Sequence, residues 1–218
     1  MSSRDTLLLI RGPSLIALGV TLLRLVGERG HWSERWFSPA TGGIIPQGVS
    51  WLFGITWLAI PFGAYFALKL ARAGEGPRRP WRALAWPATG VVLVLVGLRL
   101  ARRVPLSFPP ILIVIWLVMA VGAALAWVGW PALGRTLLAY GLASRLPVAL
   151  VMMFAMRGNW GTHYDYVGVP FALQLAFWPR YLWLAFFPQL VFWVGFTILM
   201  GTLAGSLAVV LLMRPRVA

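Results

Sequence analysis

The sequence predicts an all-α, polytopic membrane protein, and three observations carry that prediction. Of the 218 residues, 60% are apolar and only 11% are charged, whereas a soluble globular domain is about 45–50% apolar and about 25% charged. The apolar residues form several runs of roughly 20, the length needed to cross a ~30 Å hydrocarbon core. Tryptophans stand near the ends of these runs, as in the aromatic belts of membrane proteins.

Six apolar runs predict a bundle of six transmembrane helices that takes up the whole chain as one domain. The predicted spans cover residues 6–26, 49–70, 83–101, 111–130, 136–156 and 189–213. Pro109 and Pro110 predict the start of the fourth span and Pro131 its end, because proline has no N–H donor. Pro61 and Pro147 lie inside predicted spans. They predict kinks instead of breaks, since neighbouring helices can satisfy the freed carbonyls.

The formal net charge of +14 comes from 19 basic and five acidic side chains. The basic residues stand mainly at the ends of apolar runs, which is typical of membrane topology, so we expect no nucleic-acid partner. A slight excess on one face predicts cytoplasmic N- and C-termini. Arg99, Arg102 and Arg103 contradict this orientation, and a re-entrant third span would remove the contradiction. Arginine far outnumbers lysine, as in proteins from GC-rich genomes, and we expect the cytoplasmic membrane of a bacterium.

Several chemistries have no signature in the chain. Cysteine is absent, which excludes disulfides, thiolate nucleophiles and cysteine zinc sites. No phosphate-binding loop, nucleophile elbow or His-Glu-x-x-His motif occurs, and no acid lies within a predicted span. We therefore expect no cofactor, and an enzyme is the less favoured class.

Two long aromatic connections, 28–47 and 157–188, fall on the predicted outer face. Within the second, 171–188 predicts an interfacial or re-entrant helix interrupted at Pro179. Both histidines and three of the five acids lie in these loops: Glu28, His31, Glu34, His163 and Asp165.

Two hypotheses follow for these loop residues. His31, Glu34, His163 and Asp165 could ligate a metal ion, or His163 and Asp165 could form a catalytic acid–base pair. Alternatively, charged pairs tie the loops together and the histidines only donate and accept hydrogen bonds. The spacing matches no known metal signature, which favours a structural role in which charged pairs connect the two loops.

Arg145 lies near the middle of the fifth predicted span, ~15 Å along the helix from Arg135. A charge at that depth indicates a bundle-facing side chain and a functional-site hypothesis. Its partner could be a freed backbone carbonyl, a hydroxyl, water or an anionic ligand. Tyr140 and Ser144 on the same helix are candidate ligand-binding residues. Trp160 and Tyr164 of the second loop are further candidate ligand-binding residues.

Small residues on the sixth predicted span favour close helix packing. Gly201 and Gly205 are four residues apart, with Thr197 one turn earlier. Packing within the chain is favoured over a homo-oligomer.

Three functional classes remain open. The first is a binding or accessory membrane subunit that engages lipid, a small apolar or anionic ligand, or a membrane protein partner through a capped outer-face pocket. The second is a small-solute or anion transporter or channel that uses Arg145. The third is a membrane enzyme with an outer-face site at His31, His163 and Asp165. The scarcity of polar side chains within the spans favours the first class.

Overall fold

The computed structural model describes residues 2–39, 50–105, 107, 109–165 and 175–212, and all regular structure in these ranges is helical. The long helices are α1 Ser3–Arg29, α2 Ala59–Arg72, α3 Pro80–Ala101, α4 Pro110–Gly129 and α5 Pro131–Gly158. The last helical stretch consists of α6 Phe177–Tyr181, two π-helical segments, Leu182–Phe186 and Pro188–Trp193, and α7 Val194–Leu212.

Local sequence explains where several helices begin. Ser2 caps α1 in a capping box with Asp5, in which each side chain accepts a hydrogen bond from the other residue's backbone N–H. Pro80, Pro110 and Pro131 occupy the first turns of α3, α4 and α5, where a missing N–H costs nothing. The sequence-based boundaries at Pro110 and Pro131 therefore match the structure.

Among the described residues, five helices are long and apolar enough to cross a membrane, and the last of them runs unbroken from Phe177 to Leu212. The predicted second span is not a single long helix. Its counterpart consists of 3-10 turns at Ser50–Phe53 and Thr56–Leu58 followed by α2. Pro61 lies in the first turn of α2 and so does not form the expected mid-span kink.

The predicted loop 157–188 is also shorter than expected. Helix starts at Phe177, so Pro179 lies in a first turn, where proline is tolerated, and does not interrupt the helix. Pro188 lies well inside this last helical stretch, and the backbone on both sides of it is π-helical. The parts of the two predicted loops at 40–49 and 166–174 lie outside the described residues.

Helix contacts rely on glycine where backbones meet. A methyl group added at Gly63 of α2 would overlap the backbone of Gly201 on α7, and one added at Gly205 would overlap Ala67 and the Gly63 carbonyl. Gly90 of α3 approaches Gly122 of α4 in the same way. Gly201 and Gly205 thus lie against α2 of the same chain. Thr197 instead lies near Gly141 of α5, and its hydroxyl donates to the Trp193 carbonyl at 2.8 Å.

Two contacts define the ends of the bundle. At one end, the Trp130 ring N–H between α4 and α5 donates to the Glu75 carbonyl after α2, at 3.0 Å. At the other, an Arg29 N–H at the end of α1 donates to the Trp160 carbonyl after α5, at 3.2 Å. We call these the Trp130 end and the Trp160 end.

The outer faces of the helices are apolar. Leu7, Val92, Leu95, Leu117 and Leu211 each expose 60% or more of their surface. Exposed apolar side chains of this kind are typical of helices that face hydrocarbon. The helices are therefore compatible with a multi-pass membrane protein.

Candidate functional site

Arg145 lies inside the bundle, half-way along α5, with only 4% of its surface exposed. Its Nη1 donates to the side-chain oxygen of Gln189 at 3.3 Å, and its Nη2 donates to the Thr56 hydroxyl at 3.2 Å. The guanidinium carbon lies 5.1 Å from the ring centroid of Trp193, within the range of a cation–π interaction. Arg145 therefore joins α5 to the 3-10 turn before α2 and to the last helix.

The partners of this guanidinium are all neutral. Among the described residues, which include all five acids of the chain, no carboxylate forms an ion pair with Arg145. Its Nε is buried and has no hydrogen-bond acceptor. A cation inside the bundle is thus left without a counter-ion, and its Nε–H is left without an acceptor.

Gln189 owes its position to the π-helical segment that begins at Pro188. Its side chain is buried, accepts from Arg145 and donates to the Met152 sulfur at 3.5 Å. π-Helical turns within α-helices are frequent at functional sites. A hydroxyl was among the partners expected for Arg145, and Thr56 supplies it. Gln189 and Trp193 were not expected from the sequence. The available signal was an amide directly after a proline in an apolar run.

The other residues predicted to bind ligand have separate contacts. Tyr140 is buried, and its ring packs edge-on against Phe62 and Phe66. The Ser144 hydroxyl donates to the Gly141 carbonyl of its own helix at 3.1 Å. The Tyr164 hydroxyl donates to the Thr21 carbonyl of α1 at 3.0 Å.

Trp160 contacts the end of α1 through Arg29. The Arg29 guanidinium carbon is 5.7 Å from its ring centroid, in addition to the hydrogen bond to its carbonyl. Trp160 and Tyr164 thus connect the segment after α5 to the last three turns of α1.

Glu28 is the centre of a second buried cluster at the same end. One of its carboxylate oxygens accepts from Arg24 Nε at 2.8 Å. The other accepts from the backbone N–H of His163 at 2.9 Å and lies 2.8 Å from the ring Nδ1 of His163. We call Arg24, Glu28 and His163 the Glu28 latch, because it connects α1 to the loop after α5.

The structure corrects the predicted pairing of His163 with Asp165. Asp165 accepts from the backbone N–H groups of Gly161 and Thr162, at 2.9 and 2.6 Å, and from the Thr162 hydroxyl at 2.8 Å. The carboxylate therefore stabilises a turn of its own loop. Glu28, from the other end of the sequence, orients the imidazole instead.

The proposed metal ligands do not assemble. Within the described ranges, no three histidine, aspartate or glutamate side chains come close enough to hold a metal ion. His31 and Glu34 are exposed at the end of α1, and His31 adopts a left-handed backbone conformation with φ of 50°. The two predicted loops therefore meet through Glu28 and not through His31 and Glu34.

Burial lowers the pKa of the His163 ring below its usual value, and the hydrogen bond to Glu28 opposes that shift. A neutral ring that donates from Nδ1 to the carboxylate leaves Nε2 unprotonated. Burial also raises the pKa of Tyr164, which keeps its hydroxyl a donor to α1. The cluster therefore fixes the orientation of the imidazole against Glu28 and connects α1 to the loop after α5.

No protein-family model, no curated protein and no solved structure matches this chain. Function therefore has to follow from the chemistry of Arg145 and of the Glu28 latch.

Proposed function

We propose that the chain is an integral membrane binding protein, an accessory subunit in which Arg145 receives the anionic group of a small amphiphilic ligand. The observation that carries the proposal is the buried guanidinium whose partners are all neutral. Gln189 and Thr56 use two of its donors and leave the Nε–H without an acceptor.

The energetics favour an anion at this position. An arginine at the centre of a spanning helix costs at least about 2.5–3.5 kcal/mol on insertion scales. Hydrogen bonds to a neutral amide and a neutral hydroxyl offset only part of that cost, because neither partner supplies a negative charge to balance the buried cation. A carboxylate or phosphate would supply both the counter-charge and the missing acceptor.

Binding suits the surroundings of Arg145 better than transport does. A solute pathway is usually lined by several polar side chains. The polar side chains that accept hydrogen bonds from the guanidinium are those of Gln189 and Thr56, and the Trp193 ring packs against it. The Glu28 latch and Trp160 cap the bundle at the adjacent end, as a retained ligand would require.

The proposed topology has six crossings in a bacterial cytoplasmic membrane, with both termini in the cytoplasm. In it, Ser50–Arg72 is the additional crossing. Phe53 packs on Phe37 at the Trp160 end, with ring centroids 4.6 Å apart. The Glu75 carbonyl lies at the opposite end, where it accepts from Trp130.

Cysteine labelling tests this topology, because the chain has no cysteine of its own. Cysteines introduced singly at positions 34 and 78 should react with an impermeant maleimide from opposite sides of the membrane.

Thermal unfolding with paired amphiphiles tests the binding proposal. Octanoate should raise the unfolding temperature of the wild-type protein more than octanol does, because only octanoate brings a charge to Arg145. Arg145→Gln should abolish the difference between the two probes, and Arg145→Lys should retain part of it. Equal stabilisation by octanoate and octanol in the wild-type protein would reject an anion-binding role.

A further inference from the structure

A groove between the first half of α1 and α5 combines an apolar wall with two arginines. Its cavity volume is about 450 Å³. The apolar lining includes Leu7, Leu15 and Leu18 of α1 and Pro147 of α5, and Arg4 and Arg11 lie along the same groove.

The charge of these arginines is not neutralised. Neither Arg4 nor Arg11 forms an ion pair with any described residue, and both side chains are exposed. Asp5 is the nearest acid in sequence, but its carboxylate accepts from the backbone N–H and the hydroxyl of Ser2, at 2.9 and 2.7 Å. The groove therefore carries positive charge with vacant donors.

Polar groups lie in the outer part of the groove and hydrocarbon in its inner part. Arg4 and Arg11 are seven residues apart, so they lie on one face of α1 with about 10.5 Å between them along the axis, and Leu7 lies between them. Ser14, one turn deeper, has a buried hydroxyl with no hydrogen-bond partner and also lines the groove. Leu15 and Leu18 follow. From the helix end inward, the groove presents two cations separated by Leu7, then a hydroxyl, then hydrocarbon.

We propose that this groove binds an anionic glycerophospholipid. Its phosphate lies between Arg4 and Arg11, a glycerol or ester oxygen meets the Ser14 hydroxyl, and an acyl chain follows Leu15, Leu18 and Pro147. Basic sites beside spanning helices recognise anionic headgroups in this way. The lipid site is separate from Arg145, since none of its lining residues donates to or accepts from that guanidinium.

Native mass spectrometry of the full-length protein in detergent tests the site. Dioleoyl phosphatidylglycerol and dioleoyl phosphatidylcholine are titrated as separate probes. The wild-type protein should bind the anionic lipid at least tenfold more tightly, and the double variant Arg4→Gln/Arg11→Gln should lose that preference. The matched control is Arg78→Gln/Arg79→Gln, which removes two exposed arginines between α2 and α3 and should keep the preference.

A second variant tests the apolar part of the groove. Ala143 of α5 is exposed and lines the groove, so Ala143→Trp should fill it without disturbing the core. Binding of phosphatidylglycerol should then fall at least tenfold while the unfolding temperature is unchanged. The proposal is overturned if the two lipids bind the wild-type protein equally or if either groove variant binds as the wild type does. An equal loss in the control pair would also overturn it, as it would indicate general surface attraction.

Discussion

The carboxylate of Glu28 contacts both the backbone N–H and the ring Nδ1 of His163, a residue 135 positions later in the sequence. The same carboxylate accepts from Arg24 one helical turn earlier. α1 packs on the bundle mainly through α5 and the 3-10 turn at Ser50–Phe53. This cluster therefore holds the end of a helix whose other contacts are few.

Glu28→Gln should destabilise the protein. The variant leaves the buried Arg24 guanidinium without its counter-ion and weakens two hydrogen bonds to His163, a loss of about 2–3 kcal/mol because these bonds involve a charged group. The measurement is the unfolding temperature in detergent. Glu34→Gln, at an exposed position on the same connection, is the matched control and should change stability by less than about 0.5 kcal/mol. Equal shifts for the two variants would contradict the latch.

Stability should fall on mild acidification because of His163. Its pKa in the folded protein lies below the unfolded value of about 6.5. As the pH falls through about 6.5, the unfolded chain gains a proton that the folded protein does not. The contribution of His163 to the free energy of unfolding is therefore fully present above that pH and decreases below it. The charged groups that face the ring are Glu28 and Arg24 of α1 and Asp165 of its own loop.

The check is a series of thermal unfolding measurements between about pH 5 and pH 7. The wild-type protein should lose stability across this window, and His163→Gln should show a flatter profile. A wild-type profile that rises toward low pH would mean that the charged imidazole is the form the fold prefers.

The contact between α2 and α7 should not tolerate a side chain. In Gly63→Ala the added methyl meets the Gly201 backbone, which cannot move without shifting a helix, so we expect a loss of about 1–3 kcal/mol. Gly19→Ala is the control, because no heavy atom lies within 4 Å of an added methyl there. It should be neutral or slightly stabilising, since alanine is the better helix former. Similar unfolding temperatures for the two variants would contradict the observed packing.

Arg145→Gln should not lower the unfolding temperature of the ligand-free protein. The substitution removes a buried charge that lacks a counter-ion, and a glutamine can still donate to Gln189 or Thr56. A purely structural arginine predicts the opposite result. A decrease as large as that in Glu28→Gln would show that the hydrogen bonds of Arg145, and not a ligand, justify its burial.

Hydropathy and proline positions were sufficient to predict an all-helical structure with several helices long and apolar enough to cross a membrane, and the helix boundaries at Pro110 and Pro131. The segment 49–70 is apolar enough to be predicted as one helix, yet the chain forms 3-10 turns before α2. A hydropathy average does not register such local geometry.

The sites were predicted less completely. Arg145 stands out in the sequence because a charge in an apolar run is conspicuous. Its partners Gln189 and Thr56 come from distant segments, and pairing of that kind depends on tertiary contacts. His163 was expected to use its neighbour Asp165, but a carboxylate far away in the sequence lies closer to the ring. Spacing along the chain predicts local pairs only.

Equilibrium binding of radiolabelled octanoate measures whether Arg145 holds an anion. The purified wild-type protein should bind octanoate saturably, at one site per chain, and Arg145→Gln should abolish that binding. Arg4→Gln/Arg11→Gln, which alters only the lipid groove, should bind octanoate as the wild type does. Binding of the same affinity and stoichiometry in the wild-type protein and in Arg145→Gln would show that Arg145 does not hold the anion.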